Sequence, residues 1–324
     1  MDFIFTVCSN NYLAQASILA KSVKEHQPRA TFIIALCDKK RDEINYAEIP
    51  AEIIALEAIE PRIEDLAKKY NIVELNTAVK PRVIEYLFEK RAAKTVVYLD
   101  PDIKLFHPLT VLYEAMLEHA VLLTPHIYTP VPIDGKKPGE NTFLKYGIYN
   151  LGFIALRRSE ETNKLVKWWK YRTYEAGYFR TEDGLFVDQL PMNHASIFFK
   201  GVKILVHRGL NMAPWNLHER TLTENNGMYL VNNEEALVFY HFSSFTVDAN
   251  ELPLFHYDRY TLKQRPDLQR LYNNYNEELK QHNHTFYQAF ESAYSLLRES
   301  AANAQKDEVW RKKSLLKRIF SRRK

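Results

Sequence analysis

The chain reads as an α/β protein: a mainly parallel, doubly wound sheet flanked by helices, with a helical extension at its C-terminal end. Three observations predict this. Short β-branched and aromatic runs alternate with segments of helical spacing through the first half. The strongest run, Thr95-Val96-Val97-Tyr98-Leu99, leads into Asp100-Pro101-Asp102, two carboxylates at the carboxyl end of a buried strand, where open α/β sheets place ligands. Beyond Arg259 the pattern is helical to the end.

Residues 3–8 form the first expected strand. Leu13, Ala16, Ala20 and Val23 give Tyr12 to His26 one apolar helical face. Strands are expected at 30–37 and 52–56, and Pro61 opens a helix running to about Tyr70. The helical stretch 72–91 carries Lys80-Pro81-Arg82 in its middle, so a fresh helix begins at Pro81 and leaves Lys80 at a break. After strand 94–99 come a helix at 109–119 and a strand at 120–124. Residues 125–148 are rich in proline and glycine, a loop of a length that is usually functional or mobile. A strand at 152–156 precedes a helix capped by Ser159; a short helix is expected at 185–195 and strands near 203–206 and 236–241.

Apolar residues make up 46% of the 324, enough for a real core. The two cysteines, Cys8 and Cys37, sit in strand-like runs; they form no disulfide framework and point to a reducing compartment. The first residues read as a strand and not as a signal peptide, and no apolar run approaches the length of a membrane span. No Gly-x-Gly-x-x-Gly follows the first strand and no Gly-x-x-x-x-Gly-Lys-Ser/Thr loop occurs, which argues against a dinucleotide oxidoreductase and a P-loop NTPase.

Adjacent carboxylates repel unless a cation lies between them. At Asp100 and Asp102 a divalent metal, held to neutralise a diphosphate, competes with a turn carrying two solvated aspartates. Pro101 stiffens the turn that aims both side chains.

Several further segments, in order, carry a resemblance. They are Phe5-Thr6-Val7-Cys8-Ser9-Asn10-Asn11-Tyr12, Glu74 to Pro81, Tyr98 to Asp102, Tyr149-Asn150-Leu151-Gly152-Phe153-Ile154-Ala155-Leu156, Phe186-Val187-Asp188-Gln189, Asn211 to Arg220, and Tyr240 to Phe245. With them the chain resembles the GT-A glycosyltransferases, and among these the bacterial sugar transferases related to the glycogenin-like family 8 enzymes. The resemblance implies a GT-A domain over residues 1–258, followed by a helical extension at 259–303 and a basic tail at 304–324. It implies Mn²⁺ or Mg²⁺ on Asp100, Asp102 and His241, and a nucleotide-sugar donor, with UDP the expected nucleotide. Without it, His241 reads first as a packed histidine among Phe239, Tyr240 and Phe242.

The same resemblance places backbone groups of Thr6, Val7 and Cys8 at the base edge and Tyr12 on its face, although Tyr12 would also serve to pack a helix end. It brings Lys80 and Asn76 to the donor, where the alternative for Lys80 is a solvated surface lysine. Asn150, Asp188 and Gln189 would line the donor sugar and reaction centre, with Gly152 allowing close approach. Asp188 would otherwise cap a helix. Gln189, an amide, would stabilise an oxocarbenium ion but is a poor nucleophile, which fits the retaining, front-face chemistry of that family; Asp188 is the alternative nucleophile. Trp215, Asn216 and His218 form a candidate acceptor wall, or Trp215 plugs the core. Ser243 and Ser244 stand where relatives carry glycine, and no Lys-Pro-Trp follows, so a second diphosphate contact is unassigned.

The net charge of +4 belongs to the tail: without the eight basic residues of 310–324, 36 of the 44 basic residues remain against 40 acidic ones. In that tail Trp310, Leu315, Leu316, Ile319 and Phe320 interleave with Lys and Arg, as in a helix lying on an anionic membrane. A solvated tail is the alternative, and basicity confined to the tail argues against nucleic acid. The expected setting is the cytoplasm, peripheral on the inner membrane surface, with a glycan or lipid-linked saccharide as acceptor. Two competing readings are a sugar-phosphate nucleotidyltransferase and a non-catalytic glycan-binding protein. The first would carry a Gly-rich, Arg-Lys-containing loop after strand one, which is absent here.

Overall fold

The computed structural model of the protein describes residues 1–225, 227–248 and 257–303. β1 (Asp2–Cys8), α1 (Leu13–His26), β2 (Thr31–Leu36) and β3 (Glu52–Ala55) open the chain. Three helices follow: α2 (Ile63–Lys69), α3 (Ile72–Ala78) and α4 (Lys80–Lys90). Asn71 and Glu74 form a reciprocal capping box on α3, and Pro81 lies in the first turn of α4, so the break falls at Val79–Lys80 as the sequence predicts. β4 (Thr95–Leu99), the short β5 (Ile103–Leu105), α5 (Thr110–Glu118) and β6 (Val121–Leu123) come next. Then come α6 (Glu140–Tyr146), β7 (Phe153–Arg157) and α7 (Glu160–Ala176).

The expected helix at 185–195 is instead a tight hairpin, β8 (Phe179–Arg180) with β9 (Leu185–Phe186), then a 3-10 turn over Leu190–His194 and one turn of α8 (Ala195–Phe198). Gly184, at φ +69°, makes the hairpin bend. Pro191 has no amide to donate to a regular helix. β10 (Val202–Ile204) completes the main sheet.

Seven strands pair in the order β10-β6-β7-β4-β1-β2-β3, and β7 alone runs antiparallel, between β4 and β6. Alternate residues of β1 enter opposite cores. Phe3, Phe5 and Val7 pack with α2, α3, α4 and α7; Ile4 and Cys8 pack with α1 and α5. This two-sided burial explains why the strand reads as a continuous apolar run.

β11 (Leu222–Asn225), β12 (Met228–Val231) and β13 (Glu235–Ala236) form a separate small meander. β14 (Phe239–His241) pairs antiparallel with β5, placing His241 opposite Ile103. This pairing brings His241 beside Asp102, some 140 positions earlier in sequence, and the Phe242 amide donates to Asp102 O at 2.9 Å. α9 (Gln269–Gln281) and α10 (His284–Gln288) form part of the C-terminal extension. Leu271, Tyr272, Tyr275 and Leu279 of α9 share a third core with Tyr240 and Phe242, where the rings of Phe242 and Tyr275 stack at 3.7 Å. No helix among the described residues is long and apolar enough to cross a membrane. The basic tail at 304–324 lies outside the described residues.

Candidate active site

A cleft of about 710 Å³ opens at the carboxyl end of β4. Asp100, Asp102 and His241 share its wall, each offering one ligand atom within 4.8 Å of the others. His241 Nε2 is 3.0 Å from Asp102 Oδ1 and 3.7 Å from Asp100 Oδ2. Burial lowers the His241 pKa, but the carboxylates of Asp102 and Asp100 outweigh it and hold the ring above the ordinary histidine range. The placement of the three side chains lets them hold a metal ion, which would displace the proton from His241 Nε2, and two oxygens with one nitrogen suit Mn²⁺ or Mg²⁺.

Gly152 packs directly against the cluster. A Cβ there would lie 2.5 Å from His241 Cε1, 2.7 Å from Asn150 Oδ1 and 2.8 Å from Asp100 Oδ2. The Asp100 amide donates to the Gly152 carbonyl at 2.8 Å, locking the two segments together.

Lys80 is buried, and its ammonium is engaged by the protein. It donates to Leu151 O at 3.0 Å, lies 3.1 Å from Asp188 Oδ2 and 3.4 Å from Asp100 Oδ1, and sits over the Tyr98 ring. Tyr98 also donates its hydroxyl to Asp100 Oδ1. Two donors on that oxygen leave Oδ2 turned towards His241. Burial works against the Lys80 charge, yet Asp100 and Asp188 raise its pKa. Burial pushes Asp188 up to about 6, against the pull of Lys80, so it remains mostly ionised at neutral pH.

Gln189 is held at both ends: its Oε1 accepts from the Leu151 amide and its Nε2 donates to Tyr146 O, each at 2.9 Å. Asn150 is similarly committed, accepting from the Gly152 amide and the Asn211 side chain and pairing with His126. Asp188, Gln189, Asn150 and Tyr12 all line the cleft. Val187, also lining it, adopts φ +38°, a strained conformation for a β-branched residue.

Other expected residues lie elsewhere. Thr6, Val7 and Cys8 are buried in β1 and do not line the cleft; the Thr6 hydroxyl has no hydrogen-bond partner among the described residues. Asn76 is also outside the lining, while its neighbours Val73 and Thr77 on α3 are in it. Of the candidate acceptor wall, Trp215 lines the cleft. Asn216 is fully buried, donating to Asn211 O and His126 O and accepting from the Ala213 amide. His218 lies beside the loop instead, at 3.3 Å from Thr129 O.

The expected loop at 125–148 is interrupted by α6; its irregular part supplies His126 and Lys137 to the cleft, and α6 supplies Phe143 and Tyr146. The irregular part is tied down twice. The Glu219 carboxylate accepts from the Tyr128 and Thr129 amides, and the Arg259 guanidinium donates to the carbonyls of Pro132, Lys136 and Pro138.

No protein-family model matches the chain. Two proteins of Bacillus subtilis (strain 168), both described as uncharacterized, are similar in sequence. YfnF is 24% identical over 256 residues, 78% of this chain and 84% of YfnF. YfnD is 23% identical over 287 residues, 85% of this chain and 88% of YfnD. Among solved structures, the galactosyltransferase LgtC, in complex with donor and acceptor sugar analogs, superposes with a TM-score of 0.51 at 16% identity, over 87% of this chain and 96% of LgtC. The chain has the GT-A glycosyltransferase fold.

On this GT-A scaffold the least legible part of the site is its polar support. Thr124, His126 and Asn211 are buried beside the cluster, and sequence reasoning assigned a role to none of them. Asn211 stood in a quoted segment, but nothing in its neighbours marks it. His126 Nδ1 lies 3.3 Å from Ile148 O, and burial lowers its pKa to about 4. A histidine kept neutral this way contributes stability above its unfolded pKa, which is lost as pH falls towards the folded value. Wild type is expected to lose about 2 kcal/mol more than His126→Gln between pH 7.5 and 5, from roughly 1.4 kcal/mol per pKa unit. Denaturant titrations at the two pH values read this; equal losses would refute it.

Proposed function

We propose that this chain is a metal-dependent glycosyltransferase, moving a sugar from a nucleotide-sugar donor, with UDP as the nucleotide, to a glycan or lipid-linked acceptor in cell-surface polysaccharide synthesis. The observation that carries the reading is the Asp100–Asp102–His241 cluster at the carboxyl end of a central strand, inside a cleft of about 710 Å³ in a GT-A fold. When bound, Mn²⁺ or Mg²⁺ would act as a Lewis acid that offsets charge on the departing diphosphate.

The chain's own residues account for the rest. Asp100, Asp102 and His241 would bind the ion; Lys80 and Tyr98 fix which oxygen Asp100 offers. Asp188, ionised and pointed at the cleft, would stabilise positive charge growing at the donor's anomeric carbon. Gln189 would hold the sugar rigidly, because its amide is fixed by Leu151 and Tyr146. Tyr12 borders the cleft as a half-exposed ring able to stack on a base.

Thermal-shift measurements with UDP, GDP and dTDP, each with and without Mn²⁺, test the donor assignment. UDP with Mn²⁺ is expected to raise the melting temperature more than either alone, since a ligand at a hundredfold excess over its Kd adds about 2.7 kcal/mol. A larger shift with GDP or dTDP would reassign the nucleotide. The reading extends to the inner membrane surface, through the basic residues of 310–324. Deleting 305–324 is expected to abolish cosedimentation with anionic liposomes, and unchanged partitioning would rule that out.

A further inference from the structure

His241 offers the metal cluster only Nε2. Its other nitrogen, Nδ1, lies 3.3 Å from Asn211 Oδ1. Which way each amide and ring points can be settled, because this hydrogen-bonded chain is fixed at two backbone groups. At one end, the Ile148 carbonyl can only accept, so His126 Nδ1 carries a proton and His126 Nε2 accepts from Asn150 Nδ2 at 3.3 Å. The Gly152 amide can only donate, so the atom it meets at 3.1 Å is Asn150 Oδ1. Asn150 Oδ1 therefore accepts from Asn211 Nδ2 at 3.0 Å, and Asn211 Nδ2 also meets Thr124 Oγ1 at 3.2 Å. The remaining atom, Asn211 Oδ1, faces His241 as an acceptor. His241 Nδ1 must carry a proton, so in the neutral ring the Nε2 lone pair is the one left for a metal.

We infer that Asn211 is a positioning residue that selects the metal-binding tautomer and ring orientation of His241. The inference rests on the metal reading above and deepens it. Asn211 is buried, at φ +54°, a left-handed conformation that asparagine tolerates better than most residues. Asn216 supports it there by donating to Asn211 O at 2.9 Å while accepting from the Ala213 amide at 3.0 Å. Asn216 thus acts from beneath the site, as a brace for Asn211.

The test is Mn²⁺ affinity, read as free Mn²⁺ by electron paramagnetic resonance on the full chain without nucleotide. Asn211→Gly keeps the left-handed backbone and removes the amide. It is expected to weaken Mn²⁺ binding 10- to 100-fold, the usual cost of losing such a partner of a ligating histidine. Thr124→Val removes the other partner of the same amide and should change the affinity less than about threefold. In a His241→Ala background, Asn211→Gly should cost nothing further, since its effect passes through that ring. Should Asn211→Gly fail to fold, Asn216→Ala enters the same cycle, with a severalfold loss expected only when His241 is present. Equal losses from Thr124→Val and Asn211→Gly, or the same loss with and without His241, would overturn the inference alone. A wild-type protein that binds no Mn²⁺ would overturn the metal reading and this inference together.

Discussion

Gly152→Ala is expected to lower Mn²⁺ affinity at least 100-fold, while leaving a folded protein. The added methyl would sit under 3.0 Å from His241, Asn150 and Asp100 at once, so at least two of the three must move. Each belongs to the metal cluster or to the hydrogen bonds beneath it. Overpacking of this kind costs about 1–3 kcal/mol of stability, a small part of the effect beside the displaced ligands. Gly139→Ala is the control: a Cβ there meets none of the described residues within 4 Å and should change neither quantity. Calorimetric titration with Mn²⁺ reads the difference, and wild-type affinity in Gly152→Ala would mean that the cluster does not bind metal in this geometry.

Lys80→Met is expected to destabilise the protein by about 3–5 kcal/mol, the cost of leaving buried charge without its partner. The side chain is buried between Asp188 and Asp100, and Asp188 is buried as well. Without the ammonium, Asp188 must take up a proton or face Asp100 uncompensated. Adding Asp188→Asn removes that charge and should recover a large part of the loss, which urea titrations of the single and double variants would show. A solvated lysine reaching out to the donor, as the sequence allows, would instead leave stability unchanged and weaken only nucleotide binding.

Lys80 illustrates what could be read from the sequence and what could not. Its position at a helix break was visible, because Pro81 cannot continue a helix from the preceding turn. Its partners were not, because they come from β4 and from the 186–189 segment, which only the tertiary fold brings together. The sheet was legible for a local reason: β1, β2 and β4 are buried on both faces and so read as unbroken apolar runs. The antiparallel direction of β7 was not, since it depends on how the long 125–148 loop returns to the sheet. Asp100 and Asp102 announced themselves by spacing. His241 needed a resemblance, because its approach depends on a three-residue pairing of β14 with β5. The expected helix at 185–195 takes in Leu185–Phe186, the second strand of the hairpin, because these few apolar residues suit either period. Asn211, Thr124 and His126 carry no local signature: each is a single polar residue whose partners are far away in sequence.

The measurement closest to the central claim is turnover of a UDP-sugar, followed as UDP release, with Mn²⁺ present or chelated. The account predicts slow, Mn²⁺-dependent release by the wild type, abolished by chelation and reduced at least 100-fold in Asp102→Ala. Full activity in Asp100→Ala and Asp102→Ala, or release indifferent to chelation, would contradict it.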